Sequence, residues 1–151
     1  MAPSYNSESK ASELVAHYAS EIAGKIILIT GASAGSLGES FVKQIAIGKP
    51  AILILAGRSV SKMQGLIDEL NATHPTVNVK PLPLNLLSFT DVRKAADTLK
   101  SWADVPQIDI LINNAGIMAV RYRLTEDGCE TQFQTNHLGS GRSDPCFCCV
   151  R

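Results

Sequence analysis

The sequence lacks an excess of either charge, a long apolar run and an even spread of cysteines. Its 14 Lys and Arg balance 14 Asp and Glu, so charge points to neither a nucleic-acid partner nor an anionic membrane surface. The apolar runs are strand-sized, well short of the ~20 residues that cross a bilayer, so no transmembrane helix is expected. The opening MAPSYNSESK is polar where a secretory leader carries an apolar core, so secretion is not expected. Of the 4 cysteines, Cys146, Cys148 and Cys149 crowd the end of the chain. No disulfide framework is expected, and a reducing, cytoplasmic setting fits. C-x-C-C gives three crowded thiols where tetrahedral zinc takes four spaced ligands, and Cys129 would join them only by accident, so no metal is expected. A chain of 151 residues suits one domain with a core, not two.

What the sequence does hold is organised around Lys25 to Gly38, KIILITGASAGSLG. Ile26 to Ile29 form an unbroken apolar run that suits a strand buried on both faces. Gly31, Gly35 and Gly38 then punctuate a turn, and Glu39 to Ile47 carry a helical pattern. Strand, glycine-rich turn and helix in that order suit a phosphate: glycines let the backbone approach closely, and the helix start offers free N–H groups. A second buried strand, Ala51 to Ala56, follows Gly48 and Pro50. It leads through Gly57 into Arg58 and Ser59.

The glycine turn resembles the cofactor loop of the short-chain dehydrogenase/reductase family, Thr-Gly-x-x-x-Gly-x-Gly. Thr30, Gly31, Gly35 and Gly38 match, with Ser36 and Leu37 where the family usually has one residue. This Gly-Ser-Leu-Gly form is similar to that of fungal members related to retinol dehydrogenases. A second motif, Asn113-Asn114-Ala115-Gly116, lies about 80 residues further on, behind an expected strand at Ile108 to Ile112. The resemblance implies a Rossmann-type doubly wound α/β fold and NADP-dependent transfer of hydride between a small-molecule alcohol and a carbonyl. Gly31, Ser33, Gly35, Leu37 and Gly38 would then hold the pyrophosphate side of the coenzyme. Asn85 and Leu86 would flank adenine, and Asn114, Ala115 and Gly116 the adenosine ribose and the strand ends. Asn136, in LTEDGCETQFQTNHLG, matches the catalytic Asn whose backbone kinks its helix and holds a water; His137 reads as structural. In dinucleotide folds an acid about 20 residues beyond the glycine turn binds the ribose 2′-hydroxyl. Arg58 stands there, able to pair with a 2′-phosphate, which favours NADP over NAD; the other reading is a solvated surface Arg. Ser59 either reaches that phosphate or caps the next helix. Asn85, where the family has Asp, also reads as a plain loop residue.

The remaining elements follow from local pattern. Residues 1 to about 10 are expected to be disordered. Ala11 to Ile22 should form one short helix of an N-terminal arm (1–23), with Leu14, Val15, Tyr18 and Ile22 on one side. Val60, Met63, Ile67 and Leu70 mark a core-facing helix ending near Asn71. Val77 to Leu84 reads as an edge strand because Pro81 and Pro83 cannot donate. Ser88 with Asp91 resembles a capping box, and Val92, Ala95, Leu99 and Trp102 keep helical spacing. Asp109 fits the family pattern. Thr125, Glu126 and Asp127 should start a helix anchored by Phe133.

The match runs over 24–139 and then stops. Family members continue with a strand bearing the catalytic Ser and a helix bearing Tyr-x-x-x-Lys. Tyr5, Tyr18 and Tyr122 are followed four residues later by Ser9, Ile22 and Glu126, so that motif is missing here. The last stretch, SGRSDPCFCCVR (140–151), reads as an aberrant, disordered tail, as if translated out of frame or through an intron. The expectation is the N-terminal half of the domain, strands in the order 3-2-1-4, with a bare fourth strand, marginal stability and no catalysis. Two other classes stand beside it. One is a nucleotide- or partner-binding fragment that pairs with a full-length relative; the other is the product of a mis-spliced or frameshifted gene.

Overall fold

A computed structural model describes residues 5–141. Its centre is a parallel four-stranded sheet in the order β3-β2-β1-β4. β1 (Ile26–Thr30) lies in the middle and is buried along its whole length. It pairs with β2 (Ile52–Gly57) on one side, Leu28 opposite Ile54, and with β4 (Ile110–Ile112) on the other, Leu28 opposite Leu111. β3 (Asn78–Pro83) is the outer strand beyond β2, the edge position that its two prolines require.

Because side chains alternate across a strand, each apolar run feeds two cores. Ile27, Ile29, Leu53 and Leu55 face α3 (Leu37–Ile47), α4 (Ser61–Thr73) and the N-terminal arm. Leu28, Ile54 and Leu82 face α5 (Phe89–Lys100) and Val105. Helices on both faces explain why the strands read as continuous apolar runs.

The arm is ordered earlier than expected and is not one helix. Asn6 to Ser9 form a turn in which the Asn6 side chain accepts from the Glu8 N–H at 2.9 Å. α1 (Ala11–His17) stops at Tyr18, and α2 (Ala19–Ile22) restarts there. The break lets Val15 and Ile22 both reach the core, with Ile22 pressed on Gly48, where a Cβ would lie 2.6 Å from the Ile22 Cγ2.

Several other expectations are corrected. Ser59 caps nothing: α4 has Val60 at its N-cap position, and the Ser59 hydroxyl pairs with that of Ser61 at 2.8 Å. Trp102 lies beyond the end of α5; its ring sits under the Lys80 ammonium at 4.2 Å, while Lys80 also pairs with Asp104. β4 is only half-buried, since it pairs with β1 alone among the described residues. Ser88 does accept from the Asp91 N–H at 3.2 Å, but the Asp91 carboxylate turns to Asn85 instead of back to the cap.

Thr125 starts no helix. Leu124 and Glu130 form an antiparallel bridge closed by a turn with Gly128 at φ +77°. The Asp127 carboxylate is drawn away to the Phe89 N–H at 2.8 Å and the Gln134 amide at 2.7 Å. The helix begins instead at Thr131, capped by Glu130, which accepts from the N–H groups of Gln132 and Phe133. This short α6 (Thr131–Phe133) runs into a π-helical turn, Gln134–Gly139. Phe133 is not its anchor, being 52% exposed against His137; Gln134, fully buried, is. Helical conformation continues through Ser140 and Gly141, so the composition change at Ser140 is not a break in the backbone. The tail expectation otherwise concerns residues 142–151, including Cys146, Cys148 and Cys149, which lie outside the described residues.

Leu53 is fully buried in the sheet between β1 and β3. Leu53→Ala should cost about 2–5 kcal/mol through lost burial and an unfilled cavity, measured as a fall in the urea midpoint. An unchanged midpoint would show that the sheet is not the cooperative core.

Candidate functional site

A cavity of about 720 Å³ opens at the carboxyl ends of β1, β2 and β3, lined also by the turn after β1 and the loop after β4. That volume lies within the range of small-molecule and cofactor sites. The strand order reverses at β1, where α/β sheets open their binding crevice.

The floor is set by Thr30 and Gly31. Thr30 Oγ1 accepts from the Ala115 N–H at 3.0 Å, and the Asn114 amide donates to the Thr30 carbonyl at 2.9 Å. Gly31 has φ +76°, and a Cβ there would lie 2.8 Å from the Ala115 Cα. Any side chain would push the loop after β4 off the end of β1. Gly38 is equally confined, between the Gly31 carbonyl and the Asn114 amide. Gly31, Asn114 and Ala115 are thus brought together as one close backbone contact. At the opposite end of the same strands, Asp109 accepts from the Ile26 N–H at 2.8 Å.

The lengthened turn uses its extra residue as a cap. Ser36 Oγ accepts from the Glu39 N–H at 3.1 Å and donates to the Gly31 carbonyl at 3.2 Å. Leu37 becomes the first residue of α3, 83% exposed and on the cavity wall. The first N–H groups of a helix have no intrahelical partner; those of Leu37 and Gly38 precede the Glu39 N–H that Ser36 takes. Glu39 itself closes the turn from behind, accepting from the Gly35 N–H at 2.5 Å. Lys43 holds Glu39 at 3.0 Å and Glu69 of α4 at 2.8 Å. The Gly35 N–H, and then Lys43, hold the Glu39 carboxyl below its ordinary range.

Ser33, Leu37, Arg58, Asn85, Leu86, Asn114, Ala115 and Gly116 all line the cavity, whereas Gly35, Gly38 and Asn136 do not. Arg58 is exposed, just past the end of β2. Leu86 is buried, and Asn85 is turned into its own loop, accepting from the Leu87 N–H and donating to Asp91. The Asn136 amide donates to the Ile117 carbonyl at 2.7 Å and accepts from the Ile117 N–H at 2.8 Å, clamping the loop after β4 to the π turn. Among the described residues no Asp or Glu lines the cavity and no cluster of metal ligands is present. Glu39 and Lys62 were missed by sequence reasoning. The i, i+4 pair of Glu39 and Lys43 in α3 was the available signal for the former, and the sequence held none for the latter.

Glu39→Ala should speed hydrogen exchange at the Gly35 amide by at least about tenfold, with Glu39→Gln closer to wild type. Because the folded-state pKa is lowered, the staple is fully present above the ordinary value of 4.5 and is lost as pH falls through the lower one. Equal protection in wild type and Glu39→Ala would remove the staple.

The family model described as short chain dehydrogenase matches residues 25–141. The oxidoreductase fscI of Fusarium equiseti is 32% identical over 136 residues, 89% of this chain and 52% of that protein. Retinol dehydrogenase 12 of Mus musculus is 35% identical over 119 residues, 79% of this chain and 36% of that one. The chain therefore spans about half or less of the length of these relatives. A short-chain dehydrogenase from Sphingobium yanoikuyae, solved in complex with NADPH, superposes with TM-score 0.65 at 28% identity over 82% of this chain and 47% of that one. An alcohol dehydrogenase from the archaeon Thermococcus sibiricus, complexed with 5-hydroxy-NADP, gives TM-score 0.67 at 26% identity over 82% and 51%. With a parallel 3-2-1-4 sheet, a Thr-Gly turn docked on Asn-Ala-Gly and a family match over most of its length, the chain belongs to the short-chain dehydrogenase/reductase family.

Proposed function

We propose that this chain forms the coenzyme-binding part of an NADP-dependent alcohol/carbonyl oxidoreductase. The observation that carries the reading is a carboxylate-free cavity behind a glycine turn, with Arg58 on its wall. An acid at the end of β2 would accept from a ribose diol and repel a 2′-phosphate; an Arg fork attracts that phosphate. The NADPH of the Sphingobium relative supports the same choice.

In this reading, the Leu37 and Gly38 N–H groups and the start of α3 hold the pyrophosphate. Ser33 assists on the same turn, held in shape by Gly31 and Gly35. Leu86 packs against adenine with Asn85 beside it, and Asn114 to Gly116 border the adenosine ribose. A bound nicotinamide would supply hydride exchange with a carbonyl carbon. The companion proton needs a donor, and among the described residues the cavity wall offers no Tyr, His, Cys, Asp or Glu. The sequence contains no Tyr-x-x-x-Lys. Asn136, the one residue matching the family's catalytic set, is assigned to positioning the Ile117 loop. The chain by itself therefore binds coenzyme without turning it over, and a cytoplasmic setting with Cys129 as a free thiol belongs to the same reading.

One observation favours a partner-binding role as well. β4 has an open edge, and Met118, Val120, Tyr122 and Leu124 expose alternate apolar side chains just beyond it. A full-length relative pairing along that edge would cover both.

The test is titration of the purified chain with NADPH and NADH, followed by coenzyme fluorescence. Expected is binding of NADPH at least about tenfold tighter than NADH, with no coenzyme oxidation when aldehydes or ketones are added. Equal affinities would overturn NADP selection. Carbonyl-dependent oxidation would overturn the assignment of this chain as coenzyme-binding only.

A further inference from the structure

Between β2 and α4 the chain reads Arg58-Ser59-Val60-Ser61-Lys62. Ser61 is the first residue of α4 and is exposed, as are Arg58 and Lys62. Its hydroxyl is bonded to that of Ser59 at 2.8 Å. Neither hydroxyl caps the helix, whose N-cap position is held by Val60 without a side-chain bond. The serines at the other two long helix starts are used differently. Ser36 accepts from the Glu39 N–H and Ser88 from the Asp91 N–H, each capping the helix that follows. The Ser59–Ser61 pair is spare in this sense: the fold makes no cap of it.

The surroundings of Ser61 are positive. Arg58 stands three residues before it and Lys62 directly after it, and neither has an ion-pair partner among the described residues. The first turn of α4 contains no acid. Ser59, to which Ser61 is bonded, lies on the wall of the coenzyme cavity. An exposed hydroxyl preceded by an arginine complements the acidic substrate groove of a protein kinase that selects basic sequences. A phosphate esterified to it would carry about −1.5 to −2 of charge and three acceptor oxygens. Beside two unpaired cations, those oxygens would find charge-assisted donors.

We propose that Ser61 is a phosphorylation site whose phosphate closes the coenzyme cavity from its rim. In the transfer, Ser61 Oγ forms a bond to the γ-phosphorus of ATP as the bond from that phosphorus to the β–γ bridging oxygen breaks. ADP leaves, and the hydroxyl proton passes to the kinase's base. The phosphate then pairs with Arg58 and Lys62, draws both from the wall, and repels an incoming dinucleotide that is itself anionic. The inference rests on the NADP reading above and adds a regulation of the same site.

The test has two arms. In the first, the full chain is incubated with ATP and a kinase that selects basic sequences, and the phosphate is located by mass spectrometry. Expected is phosphate on Ser61 in wild type and in Ser59→Ala, and none on this turn in Ser61→Ala. No phosphate on Ser61 of the folded wild type would overturn the proposal. In the second arm, NADPH and NADH dissociation constants are measured for unmodified wild type, Ser61→Ala and the phosphorylated chain. Phosphorylation should weaken NADPH at least about tenfold, less so as salt is raised, and should weaken NADH to a smaller extent. Unmodified Ser61→Ala should bind as wild type does, because Ser61 is not on the cavity wall. The melting temperature should not fall on phosphorylation, since a phosphate at a helix start is stabilising. Weaker binding with a lower melting temperature would assign the loss to a damaged fold and overturn the switch. If wild type prefers NADPH and the phosphorylated chain binds it as tightly, the NADP reading stands and the switch falls. If unmodified wild type shows no preference, the NADP reading falls, and constants that phosphate leaves unchanged would remove the switch with it.

Discussion

Gly31 and Ala115 lie so close that a single methyl on Gly31 would sit 2.8 Å from the Ala115 backbone. Around this contact, Thr30 accepts from the Ala115 N–H and the Asn114 amide donates to the Thr30 carbonyl. The end of β1 and the loop after β4 are thereby joined without a side chain between them. The cavity, the start of α3 and the loop leading to Ile117 take their positions from that junction. Asn136 then carries it one step further, holding both backbone groups of Ile117 with one amide. Junctions made of backbone transmit position rigidly.

A second regularity concerns where the carboxylates are. Glu39 takes the Gly35 N–H, Asp109 the Ile26 N–H, Asp127 the Phe89 N–H and Glu130 the N–H groups of Gln132 and Phe133. Each acid stabilises a backbone donor at a turn, strand or helix start, away from the cavity wall. The wall is left with Arg58 and Lys62 and no compensating anion.

β4 gives the sheet its asymmetry. β3 ends the opposite edge with prolines that cannot pair onward, whereas β4 offers open backbone beside half-buried Ile110, Leu111 and Ile112. The chain spans about half or less of the length of these relatives, and the family match continues past β4 to residue 141.

The sequence by itself determined the sheet and the turn. Ile26 to Ile29 and Ala51 to Ala56 read as strands because burial on both faces leaves no polar alternation. Thr30-Gly31 and Asn114-Ala115-Gly116 were legible as motifs through the family resemblance, and the structure shows that their small residues let the two backbones meet. The prolines placed β3 at an edge, as the structure shows. Tertiary structure decided what competing partners share out. Asp127 looked like part of a helix start, yet it accepts from Phe89 on a distant segment and from Gln134 in the following turn, and Glu130 caps instead. Phe133 looked like an anchor, but the π turn rotates Gln134 inward in its place. Glu39 carried no motif of its own, and its hold on the Gly35 N–H follows from which turn the folded backbone sets beside it. Local pattern reports how a residue is buried along its own element; which donor wins a given acceptor depends on contacts that only the packed chain brings within reach.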